Sequence, residues 1–302
     1  MKIDAILSPA ELPALAKRDL RDTACVVFDV LRATSTFVTA LHNGAKAVVP
    51  VAEISEALAF CQKQPGVLLG GERDGVKIRA NQTGGGDFDL GNSPREYTPE
   101  KVRGKTIVSS TTNGTRALRA CAGAQTVLAA SFLNLTVTAQ CIRQLQPAQI
   151  LLVCAGTREN IATEDVLAAG ALCEMLDELL GPSQPMNLVA ADVSPLHLIQ
   201  SDVRADSRRL LRSKGSKREL VRENLTPLGP GKGIRPNDPV ETARNAWRNA
   251  KANLLEVVSE AENARRLLAI PDLRDDVAFC LRQDVFNLAA VLGRDGAIRI
   301  SI

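Results

Sequence analysis

Asp29 and Arg32 stand three residues apart, where the apolar run Cys25-Val26-Val27-Phe28 meets the hydroxyl-rich turn Thr34-Ser35-Thr36. An ionised Asp29 can ligate magnesium or accept hydrogen bonds, and Arg32 can clamp phosphate oxygens through two donors. The three hydroxyls can cap a following helix whose first amides face an anion. The same residues also suit a capped turn closed by an Asp–Arg pair, and both readings stay open on the residues alone.

Three further clusters carry similar chemistry. Gly70-Gly71-Glu72-Arg73-Asp74-Gly75-Val76-Lys77 offers Glu72 as a metal ligand or acid/base group and Lys77 as a phosphate partner. After Gly84-Gly85-Gly86, the segment Asp87-Phe88-Asp89-Leu90-Gly91-Asn92-Ser93 adds Asn92 and Ser93 as oxyanion donors, and glycines allow close backbone approach. Ser109-Ser110-Thr111-Thr112-Asn113-Gly114-Thr115-Arg116 is a second strand-to-helix turn, in which Thr112, Asn113, Gly114, Thr115 and Arg116 form a candidate anion cradle. Cys154-Ala155-Gly156-Thr157 precedes Thr163-Glu164-Asp165, where Glu164 or Asp165 can bind magnesium or orient water. Neighbouring helix residues cannot both aim at one point, so one of the two is expected to be structural. No lysine-containing nucleotide loop and no Gly-x-Gly-x-x-Gly fingerprint follows the first strand. With only two histidines, His42 and His197, a multi-histidine zinc centre is excluded, and oxygen-rich loops favour a hard cation. Cys154 has no histidine at a spacing that would activate it.

The elements that must position these groups alternate. Expected strands are Ile3–Leu7, Cys25–Leu31, Ala47–Val51, Val67–Leu69, Thr106–Ser109, Thr126–Ala129, Ile150–Cys154, Met186–Ala190 and Ala297–Ile302. Expected helices are Ser35–Asn43, Ile54–Gln62, Arg116–Cys121, Val137–Gln144, the apolar segment from Thr163 to Leu180, and a long tract over Val240–Leu268. The pattern predicts an α/β fold, layered α/β/α with a largely parallel or mixed sheet, whose site gathers beyond the carboxyl ends of strands. Either two α/β regions, 1–147 and 148–302, or one composite domain fits. The Gly/Pro-rich stretch Pro227–Pro236 reads as a linker or an active-site loop.

Composition bounds the partners. A net charge of +3 from 37 basic and 34 acidic residues does not call for nucleic acid. The local basic run from Arg204 to Arg218 suits a solvated face. Seven scattered cysteines suit a reducing compartment, and no stretch reads as a signal peptide or a membrane span, so a cytoplasmic protein is expected. The expected ligand is a small anionic phosphate ester, with assembly as a homo-oligomer left open.

The order of these motifs resembles the 2-phosphosulfolactate phosphatase family. The resemblance rests on Phe28–Thr36, Phe88–Tyr97, Thr111–Leu118, and Cys154–Thr157 with Glu164, Asp165, Ala169 and Gly170, and it spans about residues 3–175. Asp275–Asp284 is similar to the family's terminal acidic–cysteine segment, while the interval Gly75–Phe88 is expanded. The resemblance implies a magnesium-dependent acid phosphatase with an α/β architecture, converting 2-phosphosulfolactate to 3-sulfolactate and phosphate in coenzyme M synthesis. By residue type and placement, Asp29, Arg32, Glu72 and Arg116 are the expected catalytic groups, and Asp29, with Glu72 or a residue from Glu164 and Asp165, is expected to face the metal. Lys77, Asn92, Ser93 and Thr112–Thr115 would contact substrate. A related phosphatase, a phosphosugar or phosphocarboxylate enzyme, and a non-catalytic small-anion binder are the alternatives.

Overall fold

The computed structural model describes residues 2–180 and 238–301. Ten strands build its sheet: β1 (Lys2–Ile6), β2 (Thr23–Phe28), β3 (Ala47–Val51), β4 (Leu68–Arg73), β5 (Val76–Lys77), β6 (Thr106–Ser110), β7 (Thr126–Ala130), β8 (Gln149–Cys154), β9 (Ala289–Leu292) and β10 (Ile298–Ser301). Their spatial order is β1-β8-β2-β7-β9-β10-β3-β6-β4-β5. One parallel group, β1-β8-β2-β7, and another, β3-β6-β4, are joined by the antiparallel pair β9-β10. The fold is layered α/β/α with a mixed sheet.

The layering follows from β2, which is buried at every position. Such a continuous apolar run belongs to a strand covered on both faces. Its alternate side chains divide between two cores. Val26 and Phe28 pack with Leu128, Leu152, Leu172 and Trp247, under the helices Leu135–Leu145, Thr163–Leu180 and Pro239–Ala250. Cys25 and Val27 pack with Phe37, Leu41, Leu118 and Val153, under Ala33–His42 and Gly114–Ala120. A third cluster under Ile54–Lys63 holds Val49, Val108, Ile78 and Phe88.

Each expected strand within the described residues is present, with ends shifted by a few residues. The largest shift is in β4, which runs on to Arg73, while β2 stops at Phe28 because Thr34 N–H donates to Asp29 O at 2.9 Å and closes a turn. The long tract over Val240–Leu268 is three helices, Pro239–Ala250, Leu254–Ser259 and Glu262–Leu268, broken where Ala261 is extended. Short β5 and β9 were not expected. Met186–Ala190, His197, Arg204–Arg218 and Pro227–Pro236 lie outside the described residues. No described helix is long and apolar enough to cross a membrane.

Two of the covering helices touch through Gly170. A Cβ there would lie 2.1 Å from Ala243 O and 2.8 Å from Trp247 Cβ. Gly170→Ala is therefore expected to destabilise the fold by about 2 kcal/mol or more, although alanine favours a helix by about 1 kcal/mol. Urea unfolding followed by the single tryptophan, Trp247, measures it; unchanged stability would contradict the close packing.

Candidate functional site

The loop after β2 is held by its own hydroxyls. Thr34 Oγ1 accepts from Asp29 N–H at 3.0 Å, Ser35 Oγ donates to Val30 O at 2.8 Å, and Thr36 Oγ1 donates to Asn92 O at 2.8 Å. All three side chains are buried, so they fix the backbone that carries Asp29 instead of facing an anion. Asp29 Oδ1 accepts from Ala33 N–H at 3.0 Å, at the start of the helix Ala33–His42. Gly114 passes so close that a Cβ would lie 2.8 Å from Asp29 Oδ2, and glycine is the residue that permits this approach.

Four carboxylates meet around this loop in different states. Burial pushes the Asp29 carboxyl up to about 7, and the charges of Glu72 and Glu164 add to the rise. Backbone hydrogen bonds from Ala33 and Gly114 pull the other way. Glu72 ends β4 fully engaged: Thr112 N–H and Thr112 Oγ1 both donate to its Oε1 at 2.9 Å, and Gly75 N–H donates to its Oε2 at 2.7 Å. Asp165 is a brace between two loops, accepting from Val30 N–H at 2.8 Å and from Gly156 N–H at 3.0 Å. Glu164 accepts from Asn263 Nδ2 at 3.0 Å through Oε1, while its buried Oε2 has no partner. Burial raises the carboxyls of both Glu164 and Asp165. Glu164 Oε2 is thus the acidic oxygen left without a partner, and Asn92 Oδ1 and Thr157 Oγ1 are further buried oxygens without partners.

Asp29, Arg32, Glu72, Asn92, Thr112 and Asn113 line one cavity of about 90 Å³. All but Asn92 stand at or shortly beyond the ends of β2, β4 and β6, although the two parallel groups run in opposed directions. Arg32 is buried, with Nη1 donating to Asp276 Oδ2 at 2.8 Å and Nη2 to Gly75 O. Asp276 also accepts from Ser93 Oγ at 2.7 Å.

Other expected residues fall elsewhere. Arg116 does not line the cavity; it pairs with Glu159 at 3.3 Å on the exposed side of its helix. Lys77 donates to Asp89 O at 2.9 Å and faces an adjoining cavity of about 490 Å³, which shares Arg32 and Asn92 with the first. Thr115 is buried against Thr111. Cys154 is buried, and burial with nearby Asp165 raises its thiol well above the ordinary range, which leaves it no nucleophile. His42 stacks on Phe286, centroids 4.1 Å apart. The structure gives a place in the cavity to Asp74 and Thr157, which stand in candidate clusters of the sequence without a role of their own, and adds Arg158, Asn263 and Arg266.

A family profile described as 2-phosphosulpholactate phosphatase matches residues 10–227. The chain belongs to that family. Among curated proteins, "Probable 2-phosphosulfolactate phosphatase" of Caldanaerobacter subterraneus subsp. tengcongensis is 46% identical over 164 residues, covering 54% of this chain and 65% of the relative. Its namesake in Thermotoga petrophila is 49% identical over 151 residues, covering 50% and 61%. Another in Synechococcus sp. is 42% identical over 209 residues, covering 68% and 82%. The chain thus spans less than two thirds of the first two relatives. Within this 2-phosphosulpholactate phosphatase member, the profile match takes in Asp29, Glu72, Thr112 and Glu164, while Asn263, Arg266 and Asp276 lie beyond it.

Proposed function

We propose that the protein is a magnesium-dependent phosphatase that hydrolyses 2-phosphosulfolactate to 3-sulfolactate and phosphate. The observation that carries the reading is one small cavity combining Asp29, with its carboxyl raised by burial and by neighbouring acids, and guanidinium groups suited to phosphoryl oxygens. Family membership and the names of the relatives supply the substrate class.

The donors fit magnesium in a particular way. Among the described residues no three His, Cys, Asp or Glu side chains form a ready chelating group. Magnesium commonly keeps several waters and takes only one or two carboxylates. Asp29 and the unpartnered Glu164 Oε2 are the groups that would hold it, with Glu72 adding negative charge nearby. When bound, the ion supplies charge neutralisation at the phosphoryl oxygens.

The chain's own residues do the remaining work. Arg32, held by Asp276 and Gly75 O, still has N–H groups to offer the phosphoryl oxygens as charge builds in the transition state. Glu72 locks the Thr112 backbone and the turn at Gly75, so the donors around the phosphate are positioned before it arrives. Water attacks phosphorus and gives up a proton as the new P–O bond forms, the ester P–O bond breaks, and the leaving oxygen takes up one proton, so that an alcohol and phosphate result.

The test is a panel of phosphorylated sulfolactate, lactate and sugars, assayed with magnesium and with EDTA, and with products resolved by mass. Phosphate release from the sulfolactate ester that is lost in EDTA is expected. Product isomers without free phosphate, or no turnover of any ester, would overturn the proposal.

A further inference from the structure

Three guanidinium groups line the small cavity, and two already have acidic partners. Arg32 meets Asp276 at 2.8 Å, and Arg158 meets Asp74 at 3.4 Å. Arg266 is half-buried and has no hydrogen-bond or ion-pair partner among the described residues. A cation withdrawn from water without a counter-charge is costly unless a ligand supplies one.

The helix Glu262–Leu268 fixes where that charge stands. Asn263 Nδ2 donates to Leu31 O at 3.1 Å and to Glu164 Oε1 at 3.0 Å, which pins the helix against the acidic end of the site. Asn263, Arg266 and Leu267 face the cavity at the i, i+3, i+4 spacing of one helical side, and Ile270, just past the helix end, joins them. Arg266 therefore lies about one turn beyond Asn263 and lines the same cavity as Asp29 and Arg32. Leu267 and Ile270 supply an apolar wall beside it.

We infer that Arg266 receives a second anionic group of the substrate, a carboxylate or sulfonate on the carbon chain that bears the phosphate ester. This rests on the proposed phosphatase reading for the place of the phosphate, beside Asp29 and Arg32. Arg266 is then the residue that selects acid-bearing phosphate esters over those with neutral chains. Arg116 cannot share this role, since it pairs with Glu159 away from the cavity.

The test compares wild type, Arg266→Gln and Arg266→Lys on 2-phosphosulfolactate, 2-phospholactate and the neutral-chain glycerol 2-phosphate. Binding of 3-sulfolactate to all three proteins is measured by calorimetry. In Arg266→Gln, the kcat/KM ratio of acid-bearing to neutral esters should fall at least about tenfold, mainly through KM, as expected for loss of a charged hydrogen bond. Arg266→Lys should recover part of it, and 3-sulfolactate affinity should fall in parallel. A proportional loss on every ester, or a ratio within about twofold of wild type, would overturn the assignment. If wild type hydrolyses no ester, the phosphatase reading falls and calorimetry decides this one. Arg266-dependent binding of 3-sulfolactate sustains it; absent or Arg266-independent binding ends it.

Discussion

Asp29→Asn is expected to cut magnesium-dependent phosphate release by about a thousandfold or more while making the metal-free protein more stable above neutral pH. Both effects have one cause. The folded Asp29 carboxyl titrates at about 7 because it is buried beside Glu72 and Glu164, whereas the unfolded group keeps its ordinary value of 3.8. Between these values the unfolded chain has released a proton that the folded chain retains, so stability falls as pH rises from about 4 to about 7. Asparagine cannot ionise, keeps an acceptor for Ala33 N–H, and removes this penalty. It also removes the anionic oxygen proposed to hold magnesium, hence the lost turnover. Thermal unfolding in EDTA at pH 5 and pH 8, compared with wild type, separates the two effects. A variant that is both inactive and less stable at pH 8 would show that Asp29 serves the fold instead.

Asp276→Ala is expected to cost about 3–5 kcal/mol, the range for leaving one member of a buried ion pair uncompensated. Arg32 and Asp276 are almost wholly buried, at 3% and 0% exposure. Ser93 Oγ loses its acceptor in the same variant. Asp276→Asn keeps an acceptor for Ser93 and a neutral contact for Arg32, so it should lose less. Urea unfolding of both variants checks the order, and a cost below about 1 kcal/mol for alanine would count against the pair. Activity should fall in both, because Arg32 would no longer be held at the phosphate.

The parts of the site visible in the sequence are those built from short local segments. The run Cys25–Phe28 ending at Asp29 reads directly as a strand delivering a carboxylate, and Glu72 closing Leu68–Arg73 reads in the same way. Thr112 and Asn113 follow β6 for the same reason. The hydroxyls of Thr34 and Ser35 were ambiguous because a serine or threonine at a turn serves an anion or its own backbone equally well by type. Here the backbone wins. Lys77 and Arg116 have the right charge for an anion, but strand register and helix rotation aim them elsewhere, which short segments do not reveal. Asn263 and Arg266 reach the cavity from a helix more than 200 residues beyond Asp29, and Asp276, in the segment that resembles the family's terminal one, braces Arg32 from another helix. Nothing in the neighbours of Asn263 and Arg266 announces a site, and only the tertiary arrangement brings them there.

The place of β9 and β10 bears on how the molecule comes into being. They are translated after every other described strand, yet they occupy the middle of the sheet, between β7 and β3. A growing polypeptide can pair β2 with β7 and β3 with β6 early, but it has no seam to join the two groups. Until residues 289–301 emerge from the ribosome, β7 and β3 each present an apolar, unpaired edge. Such edges invite pairing with other nascent chains, so this interval is the vulnerable one for aggregation and for chaperone demand. A deletion confined to residues 289–301 would do damage out of proportion to its length, because it removes the seam between the two groups.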